Sequence, residues 1–216
     1  ELKIVNQNIN DINLDFLSQS KKDFVKTLLP LISYQNQKIL LERSKLEELR
    51  ASLIDHNTLS NIDLKFLDKI SQKYRIKTTD KHKYDLVNEL LNRVDIIPNS
   101  IVLAQAANES GWGSSRFARE FNALFGEYTY DYSDGVVPLL REDGDKHLVK
   151  TFTSVDKSVQ SYFNNLNSHY AYEDFRKVRE LMRKKNNFSN IKLLVEELDS
   201  YAADINYITT INAIID

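Results

Sequence analysis

The 216-residue chain contains no cysteine, only three prolines, five glycines and a single tryptophan. The absence of cysteine excludes disulfide bonds, zinc–thiolate sites and thiol catalysis. Because glycine and proline are scarce, the chain has few places to turn, and we expect mostly long helices. Hydrophobic residues make up 42% of the sequence, which excludes wholesale disorder. No apolar run reaches the length of about 18 residues that a membrane-spanning helix needs.

The charges are nearly balanced, with a formal net charge of −2. Because nucleic-acid-binding proteins usually carry a clear basic excess, we expect no nucleic-acid partner. The chain begins at Glu1 and has no hydrophobic core of a signal peptide. The sequence is therefore compatible with a targeting segment or a membrane anchor upstream of Glu1.

Composition and periodicity divide the chain into a polar arm at residues 1–18, a helical extension at 19–95 and a C-terminal domain at 96–216. Apolar residues three and four positions apart predict a first helix over 19–55, which Pro30 should kink or restart. Later helices are predicted after a capping box at Ser60 and Asp63, and over 80–94. No catalytic pattern is visible in the extension, so we expect it to support the domain that follows.

The C-terminal domain opens at Pro98 with a helix rich in alanine over residues 98–110. Small side chains allow close packing, so this helix should be central and buried. It should end at Gly111 and Gly113, because glycine is favoured just past a helix C-terminus. All five glycines of the chain lie between residues 111 and 144, so irregular backbone should concentrate there.

A small β lobe is predicted next. Val136–Arg141 and Lys146–Phe152 are extended runs that flank Asp143-Gly144, a strong hairpin signal. Upstream of them, Tyr128, Tyr130 and Tyr132 alternate in the manner of one face of a strand, which either lines a groove or packs on the core. Further helices are predicted over 155–170, 172–185, 189–200 and 204–214.

Glu109 is the main candidate for chemistry because it ends an otherwise apolar helix. Burial, the negative end of the helix dipole and a low-dielectric wall from Trp112 should all raise its pKa. A carboxyl group that stays protonated near neutral pH is what glycoside cleavage requires of its general acid. Gln105, one turn earlier, is placed to hydrogen-bond Glu109 or a substrate. The alternative is that Glu109 is a solvated residue at a helix end.

These residues carry a family resemblance. The segment Gln105–Gly113 resembles the Gln-Ala-Ala-x-Glu-Ser-Gly-Trp-Gly motif of the glucosaminidase family within the lysozyme-like superfamily. Asn122–Gly126 resembles the Asn-x-Leu-Phe-Gly motif of the same family. Val136-Val137-Pro138 and several later positions are most similar to the bacterial Bax-type branch, and the resemblance covers residues 95–215 most strongly.

The resemblance implies a mainly α, lysozyme-like α+β domain with a small β-hairpin lobe and a helical N-terminal extension. It implies cleavage of β-1,4 glycosidic bonds after N-acetylglucosamine in peptidoglycan glycan strands, with Glu109 as the general acid. We therefore expect a periplasmic, envelope-associated or extracellular protein that acts as a monomer without a cofactor or metal. Two alternatives stay open: a lytic transglycosylase on the same fold, and a non-catalytic wall-binding or morphogenesis protein.

The sequence leaves the identity of the second catalytic group open. Many members of the family have Thr-Glu-Tyr in the hairpin lobe, and that motif is absent here. Glu142 is the nearest substitute, although it sits at the turn, where a solvated side chain is the alternative. Glu127, Asp131 and Asp134 are further options, and we expect each of them to be a surface residue. Water or the N-acetyl group of the substrate could otherwise take the role.

Tyr201–Tyr207 resembles the family motif Tyr-Ala-Thr-Asp-x-x-Tyr, whose second tyrosine lines the active site and is implicated in catalysis. The resemblance assigns this role to Tyr207, and the alternative is a tyrosine in the core or on the surface. Asp204 should cap the last helix and thereby place Tyr207 at the fourth position counted from that cap (N3), in the first turn of the helix.

The remaining predictions concern substrate binding. Aromatic side chains stack their ring faces on sugar rings, while the polar atoms of those side chains bind sugar hydroxyl groups. Arg141 and His147 match the Bax-type pattern and either bind the sugar or brace the β lobe. The predicted substrate-binding residues are Gln105, Trp112, Asn122, Phe125, Tyr128, Arg141, His147, Tyr162 and Tyr201.

Overall fold

The computed structural model describes residues 12–138, 144, 146–202 and 204–216. Its α-helices are α1 (Gln19–His56), α2 (Asn61–Lys73), α3 (Lys83–Arg93), α4 (Asn99–Ser110), α5 (Arg116–Phe121), α6 (Val155–Ser168), α7 (Glu173–Lys184), α8 (Lys192–Glu196) and α9 (Tyr207–Ile215). Short 3₁₀ turns lie at Tyr170–Tyr172 and Asp199–Tyr201, and the strands are β1 (Tyr128–Thr129), β2 (Gly135–Val136) and β3 (Leu148–Lys150). The fold is mainly α and lysozyme-like, as predicted.

The extension begins with the long helix α1, which continues through Pro30 without a new start. Leu28, Leu29 and Ile32 are buried on both sides of the proline, so packing of the apolar face holds the helix together there. The predicted capping box is confirmed at the start of α2. Ser60 Oγ accepts from the Asp63 N–H at 3.2 Å, and Asp63 Oδ2 accepts from the Ser60 N–H at 3.3 Å.

Helix α4 is central and buried, as its alanine content predicts. It packs against α1 on one side and α9 on another. Ala104, Ala106 and Ala107 have almost no exposed surface. The helix ends at Gly111, which adopts the left-handed conformation with φ +56°, as expected for a C-terminal glycine.

The β lobe is a small antiparallel sheet with strand order β1-β3-β2. Val149 of β3 pairs with Tyr128 of β1 on one side and Val136 of β2 on the other. The predicted pairing of the two hairpin runs is confirmed, although the strands are shorter than predicted. The turn residues 139–143 and 145 lie outside the described residues.

One hydrophobic core runs through both predicted regions, from Leu28 of α1 to Ile211 of α9. At the predicted boundary, the buried carboxylate of Asp95 forms ion pairs with Arg43 of α1 and Arg183 of α7. The division at residue 95 therefore stays a prediction, and the extension and the C-terminal region pack as one unit. Among the described residues, no helix is both long and apolar enough to cross a membrane.

Candidate active site

Glu109 lies in the last turn of α4 and is half-buried. Burial raises the pKa of its carboxyl group, and this outweighs the hydrogen bonds from Asn108 and Tyr207, which lower it. Asn108 Nδ2 donates to Glu109 Oε1 at 3.3 Å. The predicted direction of the pKa shift is therefore confirmed. Glu109 is a carboxyl group held among neutral donors, which suits a proton donor.

Tyr207 connects Glu109 to the core through a chain of hydrogen bonds. Its hydroxyl group donates to the Glu109 carboxylate and accepts from Gln105 Nε2 at 2.7 Å. Gln105 Oε1 in turn accepts from the hydroxyl group of Tyr162. Gln105 and Tyr162 are completely buried. This series of hydrogen bonds therefore fixes the Tyr207 hydroxyl group beside Glu109.

Gln105 and two of the aromatic candidates do not reach the surface. Gln105 and Tyr162 have no exposed area, and Phe125 is 2% exposed. Phe125 stacks on Tyr162 with ring centroids 4.2 Å apart. The prediction that these three bind substrate directly is corrected: both ends of the Gln105 amide are occupied by tyrosines, and the rings belong to the core below the site.

Tyr201 joins the cluster from the C-terminal motif. Its ring stacks on Tyr207 at 5.8 Å with an interplanar angle of 10°, and its hydroxyl group donates to the Phe125 carbonyl at 2.8 Å. This bond ties the C-terminal motif to the Leu-Phe-Gly motif. The structure places Tyr207 beside Glu109 and stacks Tyr201 on Tyr207. The site roles that the resemblance implies for the two tyrosines stay predictions.

The predicted cap of the last helix is wrong in detail. Asp204 Oδ1 accepts from the Asn206 N–H at 2.9 Å, and α9 begins at Tyr207 itself. Tyr207 is therefore the first residue of the helix. The Asp204 side chain stabilises the turn before the helix, which still fixes the position of Tyr207 because the Tyr207 N–H donates to the Asp204 carbonyl.

Gly126 lies directly against the catalytic candidate. A Cβ atom built at Gly126 would lie 3.3 Å from Glu109 Oε2, and the residue has φ +63°. Both facts favour glycine, since side chains rarely adopt this backbone conformation and the space is already taken. The glycine of the Leu-Phe-Gly motif thus lets the chain pass close to the carboxylate.

Trp112 turns away toward the N-terminal helix. Gly111, Trp112 and Gly113 all have positive φ, so the chain reverses sharply after α4. The indole ring meets Phe24 edge-to-face at 5.8 Å, and Lys21 Nζ lies 4.4 Å from its centroid. These contacts couple α1 to the end of α4. The wall role and the substrate role of Trp112 stay predictions.

Asn122 has a structural contact. It ends α5 in the left-handed conformation, and its Nδ2 donates to the Phe152 carbonyl at 2.9 Å. This bond fastens α5 to the segment after β3. The predicted sugar contact of Asn122 stays a prediction, and the bond observed is one that holds the β lobe in place.

The lobe presents exposed aromatic rings. Tyr128 is 66% exposed and its ring lies 4.5 Å from the ring of His147, which immediately precedes β3. Tyr130 and Tyr132 are also exposed, but β1 ends at Thr129, so the expected three-tyrosine strand does not form. Packing of these rings on the core is excluded, and Tyr128 with His147 offers a surface suited to sugar stacking.

Two predicted residues, Arg141 and Glu142, lie outside the described residues. Asp131 is exposed, as expected, and accepts hydrogen bonds from Ser133. Glu127 is different. The expectation of a surface residue is wrong for Glu127, because the residue is half-buried and its Oε1 is shielded from solvent. Ser161 Oγ donates to Oε2 at 2.8 Å, and burial raises the pKa of the carboxyl group.

A mainly α fold with a half-buried glutamate at the end of its central helix, a tyrosine bound to it and a small β lobe beside it is the arrangement of the lysozyme-like glycosidases. The chain belongs to the glucosaminidase family: the model for mannosyl-glycoprotein endo-beta-N-acetylglucosaminidase matches residues 84–216.

The chain is similar to Protein bax of Escherichia coli (strain K12), with 36% identity over 182 residues. The matched region covers 84% of this chain and 63% of that protein, so the chain spans less than two thirds of its relative. No solved structure matches the chain.

Proposed function

We propose that the protein hydrolyses the β-1,4 bond that follows N-acetylglucosamine in peptidoglycan, with Glu109 as the general acid. The observation that carries this proposal is the environment of Glu109. Burial raises the pKa of the carboxyl group, and its described hydrogen-bond partners, Asn108 and Tyr207, are neutral. A raised pKa favours the protonated form of the carboxyl group, which is the form that can give a proton to the leaving oxygen.

In the proposed reaction, Glu109 transfers its proton to the glycosidic oxygen as the bond to the anomeric carbon breaks. The carboxylate left behind accepts the hydrogen bond of the Tyr207 hydroxyl group. Burial and the Glu109 charge raise the pKa of Tyr207, so Tyr207 stays neutral and remains a donor. Gln105 holds that hydroxyl group at 2.7 Å, so it is already in place when charge develops on Glu109.

The glycan strand would approach from the side of the β lobe, where Tyr128 and His147 present adjacent rings. Peptidoglycan lies outside the cytoplasmic membrane, so the proposal places the protein in the periplasm, on the envelope or outside the cell. The proposal also takes the protein to act as a monomer.

The experiment is digestion of purified sacculi, followed by mass spectrometry of the released ends. Reducing N-acetylglucosamine termini support the proposal. Anhydro-muramyl termini would show a lytic transglycosylase instead, because that reaction forms an internal ether and adds no water. Intact sacculi under conditions where the protein is folded would show a non-catalytic wall-binding protein.

A further inference from the structure

Glu127 is a second enclosed carboxyl group at the candidate site. It follows Gly126, the residue that lies against Glu109, and it directly precedes β1. Its backbone carbonyl accepts from the Lys150 N–H at 2.8 Å, so the sheet fixes its position. After burial, the charges of Glu127 and Glu109 both raise the pKa of Tyr172.

One oxygen of Glu127 is firmly held. Ser161 Oγ donates to Oε2 at 2.8 Å, and Lys150 Nζ donates to the same Ser161 Oγ at 3.2 Å. The chain Lys150–Ser161–Glu127 links β3, α6 and the entry to β1. It orients the carboxyl group by holding one of its two oxygens, Oε2.

The second carboxylate oxygen of Glu127, Oε1, has no hydrogen-bond donor in the part of the chain that the structure describes. This oxygen is buried. A buried carboxylate oxygen without a donor loses its hydration and gains no hydrogen bond in return, which destabilises the folded state. Proteins rarely keep such an atom unless a ligand or water supplies the donor.

The two carboxyl groups differ in their charged neighbours. Glu109 has neutral partners, whereas Lys150 and Arg75 both lower the pKa of Glu127 against the effect of burial. Pairs of carboxyl groups with unlike surroundings divide into an acid and a base. Glu127 is therefore the member of the pair whose ionised form is favoured by cationic neighbours, Lys150 and Arg75.

We infer that Glu127 is the second catalytic carboxyl group, whose Oε1 accepts a proton from the attacking water. This inference rests on the proposed function. Water forms a bond to the anomeric carbon while the bond from that carbon to the leaving oxygen breaks. Glu109 gives its proton to the leaving oxygen, Glu127 takes one from the water, and solvent later restores both groups. The inference favours hydrolysis over anhydro-sugar formation.

The test combines two variants with azide as an external nucleophile, on soluble peptidoglycan oligosaccharides. Glu127→Gln should lower kcat at least about a hundredfold and change KM little, since general base catalysis supplies about 10²–10⁴. Glu127→Ala with added azide should regain activity and release a glycosyl azide, because azide needs no base. Mass spectrometry identifies that product, which a merely structural role of Glu127 would not yield.

Glu196→Gln is the matched control, since Glu196 is exposed on α8, and thermal unfolding checks that each variant is folded. A folded Glu127→Gln variant with wild-type kcat would overturn the inference. So would a folded Glu127→Ala variant that azide does not rescue, or azide rescue of Glu142→Ala in its place. If the wild type itself releases no ends, the proposed function fails, which is a separate result.

Discussion

The backbone of Gly126 lies against the carboxylate of Glu109, so that an added methyl group would be 3.3 Å from Oε2. The two residues belong to different motifs and to different elements, the end of α4 and the entry to the β lobe. Their contact makes the glycine part of the wall around the catalytic candidate. Any side chain at residue 126 would push on Glu109 or on the lobe.

Gly126→Ala should therefore reduce both stability and activity. An alanine at φ +63° costs about 1–2 kcal/mol in the left-handed region, and its methyl group displaces the Glu109 carboxylate. We expect the activity on sacculi to fall at least about tenfold when compared at equal amounts of folded protein. Chemical denaturation and an activity assay measure the two effects.

The variant Gly144→Ala distinguishes the effect of backbone strain from the effect of the contact between residue 126 and Glu109. Gly144 also has a positive φ, of +102°, but a Cβ atom there meets nothing within 4 Å. The activity of the Gly144→Ala variant should therefore fall less than the activity of the Gly126→Ala variant. Equal losses in the two variants would show that the contact with Glu109 has no special effect.

Tyr207→Phe removes the hydroxyl group that Gln105 holds beside Glu109. The hydrogen bond from Tyr207 lowers the pKa of Glu109, so its loss should raise that pKa further. Since the acid must be protonated to act, the alkaline limb of the kcat/KM profile should move to higher pH. The maximal rate should fall about tenfold to a hundredfold, because a hydrogen bond to a charged group is worth about 1.5–3 kcal/mol.

Tyr34→Phe serves as the control for Tyr207→Phe, because Tyr34 is exposed on α1. Its pH profile should match that of the wild type. An alkaline limb that stays in place in Tyr207→Phe, or moves to lower pH, would contradict the assigned hydrogen bond.

Trp112 is the only tryptophan of the chain, so its fluorescence reports on one place. Its ring contacts Phe24 and the Lys21 ammonium group of α1. We expect Phe24→Ala to shift the emission maximum to longer wavelength, because water reaches the indole ring. If Trp112 has the predicted substrate role, a soluble glycan fragment should change the emission of the wild type saturably, and unchanged emission would contradict that role.

Asp95→Asn tests how the extension is joined to the rest of the chain. The Asp95 carboxylate is 1% exposed and pairs with Arg43 and Arg183. Removing one charge of a buried network leaves the others uncompensated, so the free energy of unfolding should fall by about 3–5 kcal/mol. Denaturant titration measures this, with the exposed Asp199→Asn as the control. A loss below about 1 kcal/mol would contradict a shared core.

Local patterns predicted much of the fold. The capping box at Ser60, the glycine at the end of α4 and the pairing of β2 with β3 each depend on residues close in sequence. The resemblance placed Glu109 and Tyr207 in one site, and the structure joins them by a hydrogen bond. Short-range sequence signals and family motifs were sufficient to predict these features.

Glu127 shows what such reasoning misses. It follows a glycine in a polar stretch, so its sequence environment indicates solvent. Its burial comes from Ser161, 34 positions later, and from Lys150 across the sheet. The burial of Gln105 was missed for a similar reason, since Tyr162 and Tyr207 reach it from distant segments. Only tertiary packing brings these groups together.

The most direct test of the account compares the wild type with Glu109→Gln on purified sacculi. Glutamine has nearly the same shape but no proton to give to the leaving oxygen. The account predicts release of reducing N-acetylglucosamine ends by the wild type and a loss of at least about a hundredfold in the variant, with both proteins equally folded. A Glu109→Gln variant that clears sacculi at the wild-type rate would show that Glu109 is not the acid.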